Sequence, residues 1–135
     1  MDALQVIPAP PPPVPVGPGT YQNNNINWVF TGAWASTALS SASGGSVHTS
    51  STVSNSASLL VTGASGFTLR YFTRSGFGTL GVYVDNVWVT TLTQSSGSLT
   101  IVWTTYTLAL TAGTHTIKLV DASDKVNFDN IIIAP

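Results

Sequence analysis

The residues of this sequence with the clearest chemical potential are aromatic side chains that occur with hydrogen-bonding residues. Such a combination is suited to binding ring-shaped polar ligands. The face of an aromatic ring packs against the apolar face of a sugar ring, and a few polar groups then fix its orientation. The aromatic candidates are Trp88, Trp103, Tyr106, Tyr83 and Phe77, and the polar candidates are Asn86, Gln94 and Arg74. The alternative is that these rings fill a core or a subunit interface, and a core position is what we expect for Trp28 and Trp34.

Catalytic groups are scarce in the chain. Nucleophilic catalysis needs a hydroxyl beside an oriented base, and the only histidines are His48 and His115. His115 starts a predicted strand, where a hydrogen bond to the backbone is the ordinary role. Glycoside hydrolysis needs two carboxylates, but the chain has no Glu, and its five Asp residues fall in predicted turns or in the N-terminal segment. We therefore expect no enzymatic activity.

Three aspartates near the C-terminus form a candidate metal site. Asp121, Asp124 and Asp129, together with Asn127, offer oxygen atoms of the kind that Ca²⁺ prefers. Aspartate in a turn more often caps its own backbone, and Lys125 would partly neutralise such a site. We expect no obligatory cofactor, with a structural calcium ion as the alternative.

The composition limits the classes of partner. Hydrophobic residues make up 43% of the 135 residues but charged residues only 7%, and the net charge is −1. A chain without a basic patch cannot neutralise phosphates, so nucleic acid is not an expected partner. There are no cysteines, hence no disulfides, and no apolar run is long enough for a membrane-spanning helix. One ordinary domain accounts for a chain of this length.

The N-terminal segment differs from the rest. Residues 1–20 hold seven of the eight prolines, so we expect an extended arm of polyproline type before a domain at residues 21–135. The simplest interpretation of residues 1–20 is a linker or a tail. The apolar residues of the arm suggest instead that it docks on a neighbouring subunit, through Leu4, Val6, Ile7, Val14 and Val16.

From Tyr21 onward the pattern is that of short strands and turns. The stretch 81–89 predicts a hairpin, because Val82 and Val84 alternate with Tyr83 and the dipeptide Asp85-Asn86 tolerates the positive φ of a tight turn. Eight to ten such strands and no helical period indicate an all-β, antiparallel β-sandwich of jelly-roll type.

Six motifs occur in order between residues 25 and 133: Phe30-Thr31-Gly32-Ala33-Trp34, His48, 57–69, Val82-Tyr83-Val84-Asp85-Asn86, Gly113-Thr114-His115-Thr116 and Phe128-Asp129-Asn130-Ile131. Their order resembles the galactose-binding-like jelly rolls found as carbohydrate-binding modules and accessory domains of secreted proteins. The resemblance implies a β-sandwich, often with a structural calcium ion. It leaves the function open, since this fold serves both as a sugar binder and as an inert spacer.

Two functions fit these observations. The first is a non-enzymatic structural protein of a larger assembly, specifically a phage virion surface protein (capsid decoration or accessory). Its arm would dock on protein subunits, as a homo-oligomer or on a shell protein, and its sandwich would face outward and also be available to glycans. The first 16 residues lack the pattern of a secretory signal, which favours this hypothesis. The alternative is an extracellular carbohydrate-binding module of a secreted enzyme or adhesin, with the arm as linker.

Overall fold

A computed structural model describes residues 14–135, and every regular element in that range is a β-strand. The strands are β1 (Gly19–Gln22), β2 (Val29–Thr31), β3 (Ala35–Ala38), β4 (Ser46–Ser50), β5 (Ser56–Thr62), β6 (Gly66–Thr73), β7 (Thr79–Val84), β8 (Val87–Thr93), β9 (Val102–Ala109), β10 (Thr114–Ser123), β11 (Val126–Phe128) and β12 (Asn130–Ala134). No helix in residues 14–135 has the length and apolar character needed to cross a membrane.

The strands form three antiparallel sheets. Five strands follow the order β2-β5-β10-β7-β8, four follow β1-β12-β6-β9, and a small sheet has the order β11-β4-β3. In β5 every second residue is buried, and the buried set (Ala57, Leu59 and Val61) faces Phe67 and Leu69 of β6 in one shared core. Such alternation is what a strand with one buried face requires. The predicted antiparallel β-sandwich is therefore confirmed.

The hairpin predicted at residues 81–89 is present as β7 and β8. Asp85 and Asn86 form its two-residue turn with φ of 52° and 63°, and Val84 pairs with Val87 across it. Positive φ at both turn residues matches the right-handed twist of the flanking strands. The turn chemistry that the sequence indicated is thus the one that the chain uses.

Two elements differ from the sequence prediction. The composition of residues 36–46, rich in Ser, Ala and Gly, predicts a loop, but most of β3 lies in it and pairs with β4, although none of the four residues of β3 is buried. Residues 126–133 are predicted as one last strand, but the strand is divided at Asp129, where the chain passes from the small sheet to the four-stranded sheet. There the backbone N–H of Asp129 donates to Arg70, and its carbonyl accepts from Asn23.

The end of the N-terminal arm is attached to its own domain. Val16 forms a parallel bridge with Val61, receiving a hydrogen bond from Thr62 N and donating one to Leu60 O, each of 2.9 Å. Its side chain is half-buried against the main core, and docking of Val16 on another subunit stays a prediction. Val14 is 78% exposed. The other three predicted docking residues, Leu4, Val6 and Ile7, lie outside the described residues.

A second, smaller core covers part of the outer face of the four-stranded sheet. Phe72 faces outward from β6 and packs with Ala42 and Val47, which belong to the segment between β3 and β4 and to β4 itself. Half-buried side chains complete this core: Leu39, Phe77, Ile101 and Trp103. The segment after β3 is thereby held against the sheet and forms one wall of the groove described next.

Candidate functional site

The groove lies on the outer face of the four-stranded sheet. Directly opposed residues in an antiparallel pair share one face of a sheet, and Arg70 of β6 lies opposite Asn130 of β12 and Thr105 of β9. The core-facing residues of β6 alternate with these, so Arg70 and Thr68 must point outward. The floor of the groove is therefore set by strand register.

Serines from the segment after β3 form the wall. The backbone N–H of Ser43 donates to Asp129 Oδ2 at 3.0 Å, which fixes this segment against the start of β12. The groove is open to solvent and has a volume of about 340 Å³, and its lining consists of Ser41, Ser43, Thr68, Arg70, Thr105, Asn130 and Ile132. Small-molecule sites begin at about 300 Å³, so the groove has room for a small polar ligand.

Arg70 is the fixed centre of the groove. Its guanidinium forms an ion pair with Asp129 and lies over the ring of Trp103, with 3.9 Å between Cζ and the ring centroid. The Asp129 side chain is fully buried, while 28% of the Arg70 side chain remains exposed. An arginine held on both sides keeps its remaining N–H groups in a constant orientation. Arg70 thus presents a preorganised donor to the groove.

Hydrogen-bond acceptors without partners lie beside this donor. Asn130 lines the groove and is 5% exposed, yet its Oδ1 accepts no hydrogen bond. Gln22, directly opposite Asn130 on β1, has an unpartnered Oε1, and Asp129 has an unpartnered Oδ1. These three oxygens are buried, so a ligand in the groove meets the exposed surface of the lining residues rather than these atoms.

The aromatic candidates from the sequence lie in different parts of the structure. Trp103 adjoins the groove, although Arg70 covers its ring face. Trp88 and Tyr83 form a cross-strand pair on the five-stranded sheet, near the exposed Asn86 turn. Tyr106 packs against the core in an edge contact with Phe67. These residues therefore do not form a single binding site.

Three further candidates from the sequence contact other parts of the domain: Gln94, Arg74 and Phe77. Gln94 is fully buried and bonds to the backbone of Asn127 through both ends of its amide, at 2.8 Å each. Arg74 Nε donates to the carbonyl of Leu99 at 2.9 Å. Phe77 belongs to the second core. They stabilise the loops around β6 and β8.

The sequence analysis missed Arg70, Asn130, Thr68 and Thr105. A signal was present in β6, where Thr68 and Arg70 alternate with Phe67, Leu69 and Tyr71. Alternation identified the outward face of that strand, but it did not show which other strands would lie beside it. The pairing of β6 with β9 and β12 is long-range information that local patterns do not carry.

The calcium set proposed from sequence does not come together. Residues 14–135 contain no group of three His, Cys, Asp or Glu side chains placed to hold a metal ion. Asp121 is buried and accepts a hydrogen bond from Ser50 Oγ at 2.9 Å, and burial raises the pKa of its carboxyl group. Asp129 already has the Arg70 guanidinium as its counter-ion. Asp124 lies in an exposed turn with φ of 51°.

A second charged pair, His115 with Asp85, lies outside the groove. Asp85 accepts hydrogen bonds from His115 Nδ1 at 2.6 Å and from Thr116 N at 2.8 Å, and these bonds lower the pKa of Asp85. His115 Nε2 lies 2.8 Å from the carbonyl of Thr111. The bond to Asp85, followed by that to Thr111, raises the pKa of His115. Both ring nitrogens face acceptors, which is the arrangement of a structural imidazolium.

Solved structures resemble this architecture over most of the chain. A family 35 carbohydrate-binding module from an environmental isolate matches with a TM-score of 0.64 and 18% identity, covering 87% of this chain and 93% of that one. A CBM35 domain from Paenibacillus barcinonensis matches with a TM-score of 0.62 and 19% identity, covering 87% and 98%. This chain has the galactose-binding-like fold of carbohydrate-binding modules.

Larger enzymes contain the same fold as one part of their chains. A cycloisomaltooligosaccharide glucanotransferase from Paenibacillus sp., solved with cycloisomaltoheptaose, matches at 23% identity with a TM-score of 0.64, covering 86% of this chain. The match spans only 18% of that enzyme. No protein-family model matches the sequence, and no curated protein matches it. These neighbours favour the carbohydrate-binding alternative over the virion hypothesis, to which they give no support.

Proposed function

We propose that this chain is a non-catalytic glycan-binding module of an extracellular protein and that it binds its ligand in the groove over β12, β6 and β9. The observation that carries the proposal is the groove in which Arg70, held by Asp129 and Trp103, lies beside hydroxyl and amide side chains. The fold shared with family 35 carbohydrate-binding modules supports it. The match to one part of larger carbohydrate-active enzymes supports an accessory role.

The groove offers a set of contacts suited to sugar hydroxyls. A sugar hydroxyl accepts from a free N–H of Arg70, whose side chain is 28% exposed. The hydroxyl groups of Thr68, Thr105 and the wall serines both donate and accept. Ile132, which is 47% exposed, supplies an apolar contact for the C–H face of the ring. Trp103 contributes by holding Arg70 rather than by stacking on the ligand.

Two matched variants test the site. We expect Asn130→Ala to weaken glycan binding about tenfold, the equivalent of one lost hydrogen bond of roughly 1.4 kcal/mol. Trp88→Ala, on the opposite sheet, should leave binding unchanged. The measurement is titration calorimetry with a ligand chosen from a glycan array, after a thermal melt has shown that both variants fold.

The same pair of variants separates the two candidate surfaces. Loss of binding in Trp88→Ala with full binding in Asn130→Ala would move the site to the β7–β8 hairpin. If the wild-type protein bound no member of the array, the glycan-binding proposal itself would be wrong.

A further inference from the structure

We infer that the groove selects neutral over acidic glycans and that Asp129 is the positioning residue that sets this selectivity. The inference rests on the proposed glycan-binding function and adds the class of ligand. Among residues 14–135, Arg70 is the only charged residue in the lining of the groove. An exposed arginine in a sugar site would ordinarily attract a carboxylate, so the decisive question is whether its charge is available.

The charge of Arg70 is already compensated from beneath the groove. The Asp129 side chain has no exposed surface and pairs with Arg70 through Oδ2, the same oxygen that accepts from Ser43 N. Separating such a pair leaves a buried carboxylate without its counter-ion, which is strongly unfavourable. A ligand carboxylate therefore cannot take Arg70 away from Asp129.

An acidic ligand would also approach a second negative group. The Asp129 carboxylate is buried and has Arg70 as its counter-ion, so a second carboxylate at Arg70 would leave two negative groups sharing one positive charge. A uronic acid carboxylate next to Arg70 would be repelled by Asp129 and would lose its own hydration. Hydroxyl groups are uncharged, so Asp129 does not repel them and the loss of their hydration is less unfavourable than that of a carboxylate.

The lining of the groove suits sugar hydroxyl groups instead. Arg70 and Asn130 are directly opposed in the pairing of β6 with β12. Hydroxyl side chains surround them, from Thr68, Thr105, Ser41 and Ser43, and each hydroxyl both donates and accepts hydrogen bonds. The chemical class that this predicts is a neutral glycan bound through its hydroxyl groups.

The first experiment measures binding to an array that pairs neutral oligosaccharides with their uronic acid counterparts. We expect the wild-type protein to bind neutral members and to reject the matching acidic ones. Stronger binding to the acidic member of a pair would overturn the inference while leaving the proposed function intact. Binding to no member would instead remove the proposed function.

The second experiment changes the compensating charge. Asp129→Asn keeps the shape of the side chain and its acceptor for Ser43 N but leaves the Arg70 charge uncompensated. We expect this variant to gain affinity for acidic members by about tenfold relative to neutral ones. The double variant Asp129→Asn with Arg70→Met should lose that gain, which a merely structural role of Asp129 would not produce.

The salt dependence of the wild-type protein gives a readout that does not depend on the variants folding. Binding of a neutral glycan should change little when NaCl rises from about 0.05 to about 0.5 M, because no net charge is neutralised. A steep loss of wild-type affinity for an acidic member over the same range would show that Arg70 acts as a free cation and would overturn the inference.

Discussion

At the scale of single residues, His115 and Asp85 link two turns at one end of the sandwich. The imidazole bonds to the carboxylate in the β7–β8 turn and to the carbonyl of Thr111 in the turn before β10. One ring therefore fixes two turns. From the place of His115 at the start of a strand, the sequence predicted only a hydrogen bond to the backbone. The pair also makes the stability of the fold depend on pH.

The direction of this dependence follows from the two pKa shifts. The pKa of His115 is raised above 6.5, so its stabilisation is complete below about pH 6.5 and is lost as the pH rises through the raised value. The pKa of Asp85 is lowered below 3.8, so its contribution persists until the pH falls through the lowered value. The pair stabilises the fold most between these limits.

We expect the wild-type melting temperature to fall more than that of His115→Gln between about pH 6 and about pH 9. Because Asp85 is half exposed, the difference should correspond to no more than about 1 kcal/mol. Differential scanning calorimetry of both proteins measures it. Comparison with the variant cancels the contribution of His48, whose pKa is lowered by burial. Identical pH profiles would contradict the assigned role.

At the scale of elements, the β7–β8 hairpin depends on Asn86. Its φ of 63° is in the left-handed region, where a residue with a Cβ and no local side-chain hydrogen bond loses roughly 1–2 kcal/mol. We expect Asn86→Val to lower the free energy of unfolding by about that amount, and Asn86→Gly to be neutral or slightly stabilising. Urea denaturation measures both. Equal stability of the two variants would show that the turn adopts another conformation in solution.

Local patterns predicted some elements and not others, for physical reasons. The hairpin was predictable because Asp85 and Asn86 carry the turn chemistry themselves and lie between alternating strands. Strand β3 was not, because Ser36 and Thr37 lie in a run of small polar residues, and the strand exists through pairing with β4. Propensity in strands is set largely by neighbouring strands.

Local sequence patterns predicted even less of the candidate site than of the fold. Trp103 was a candidate because of its type, and it does adjoin the groove through Arg70. Asn130 and Arg70 are 60 positions apart in sequence, and only the pairing of β12 with β6 makes them neighbours. Asp129 was assigned to calcium because its oxygen chemistry was visible in the sequence, whereas its counter-ion on another strand was not.

At the scale of the whole molecule, the two broad faces of the sandwich carry different residues. The groove occupies the outer face of the four-stranded sheet, whereas Trp88 and Lys118 are on the outer face of the five-stranded sheet, each beside Tyr83. Trp88 is 58% exposed, and its indole N–H donates to Thr91 Oγ1 at 2.9 Å. Substitutions on one face therefore serve as controls for the other.

The pairing of β1 with β12 also determines how the molecule responds to mechanical force. Gly19 lies opposite Ile133, so both ends of the sandwich leave from the same edge. Tension between them breaks the two Val16 bonds and then unzips β1 from β12 one pair at a time, instead of shearing all pairs together.

The next strand under load is β12, which carries Asn130 and Ile132 of the groove. If the groove binds a glycan as proposed, a module anchored by its two ends would release it under tension while the five-stranded sheet is still folded. Optical-trap pulling in the presence of glycan would detect this as ligand loss at the step that follows the release of β1.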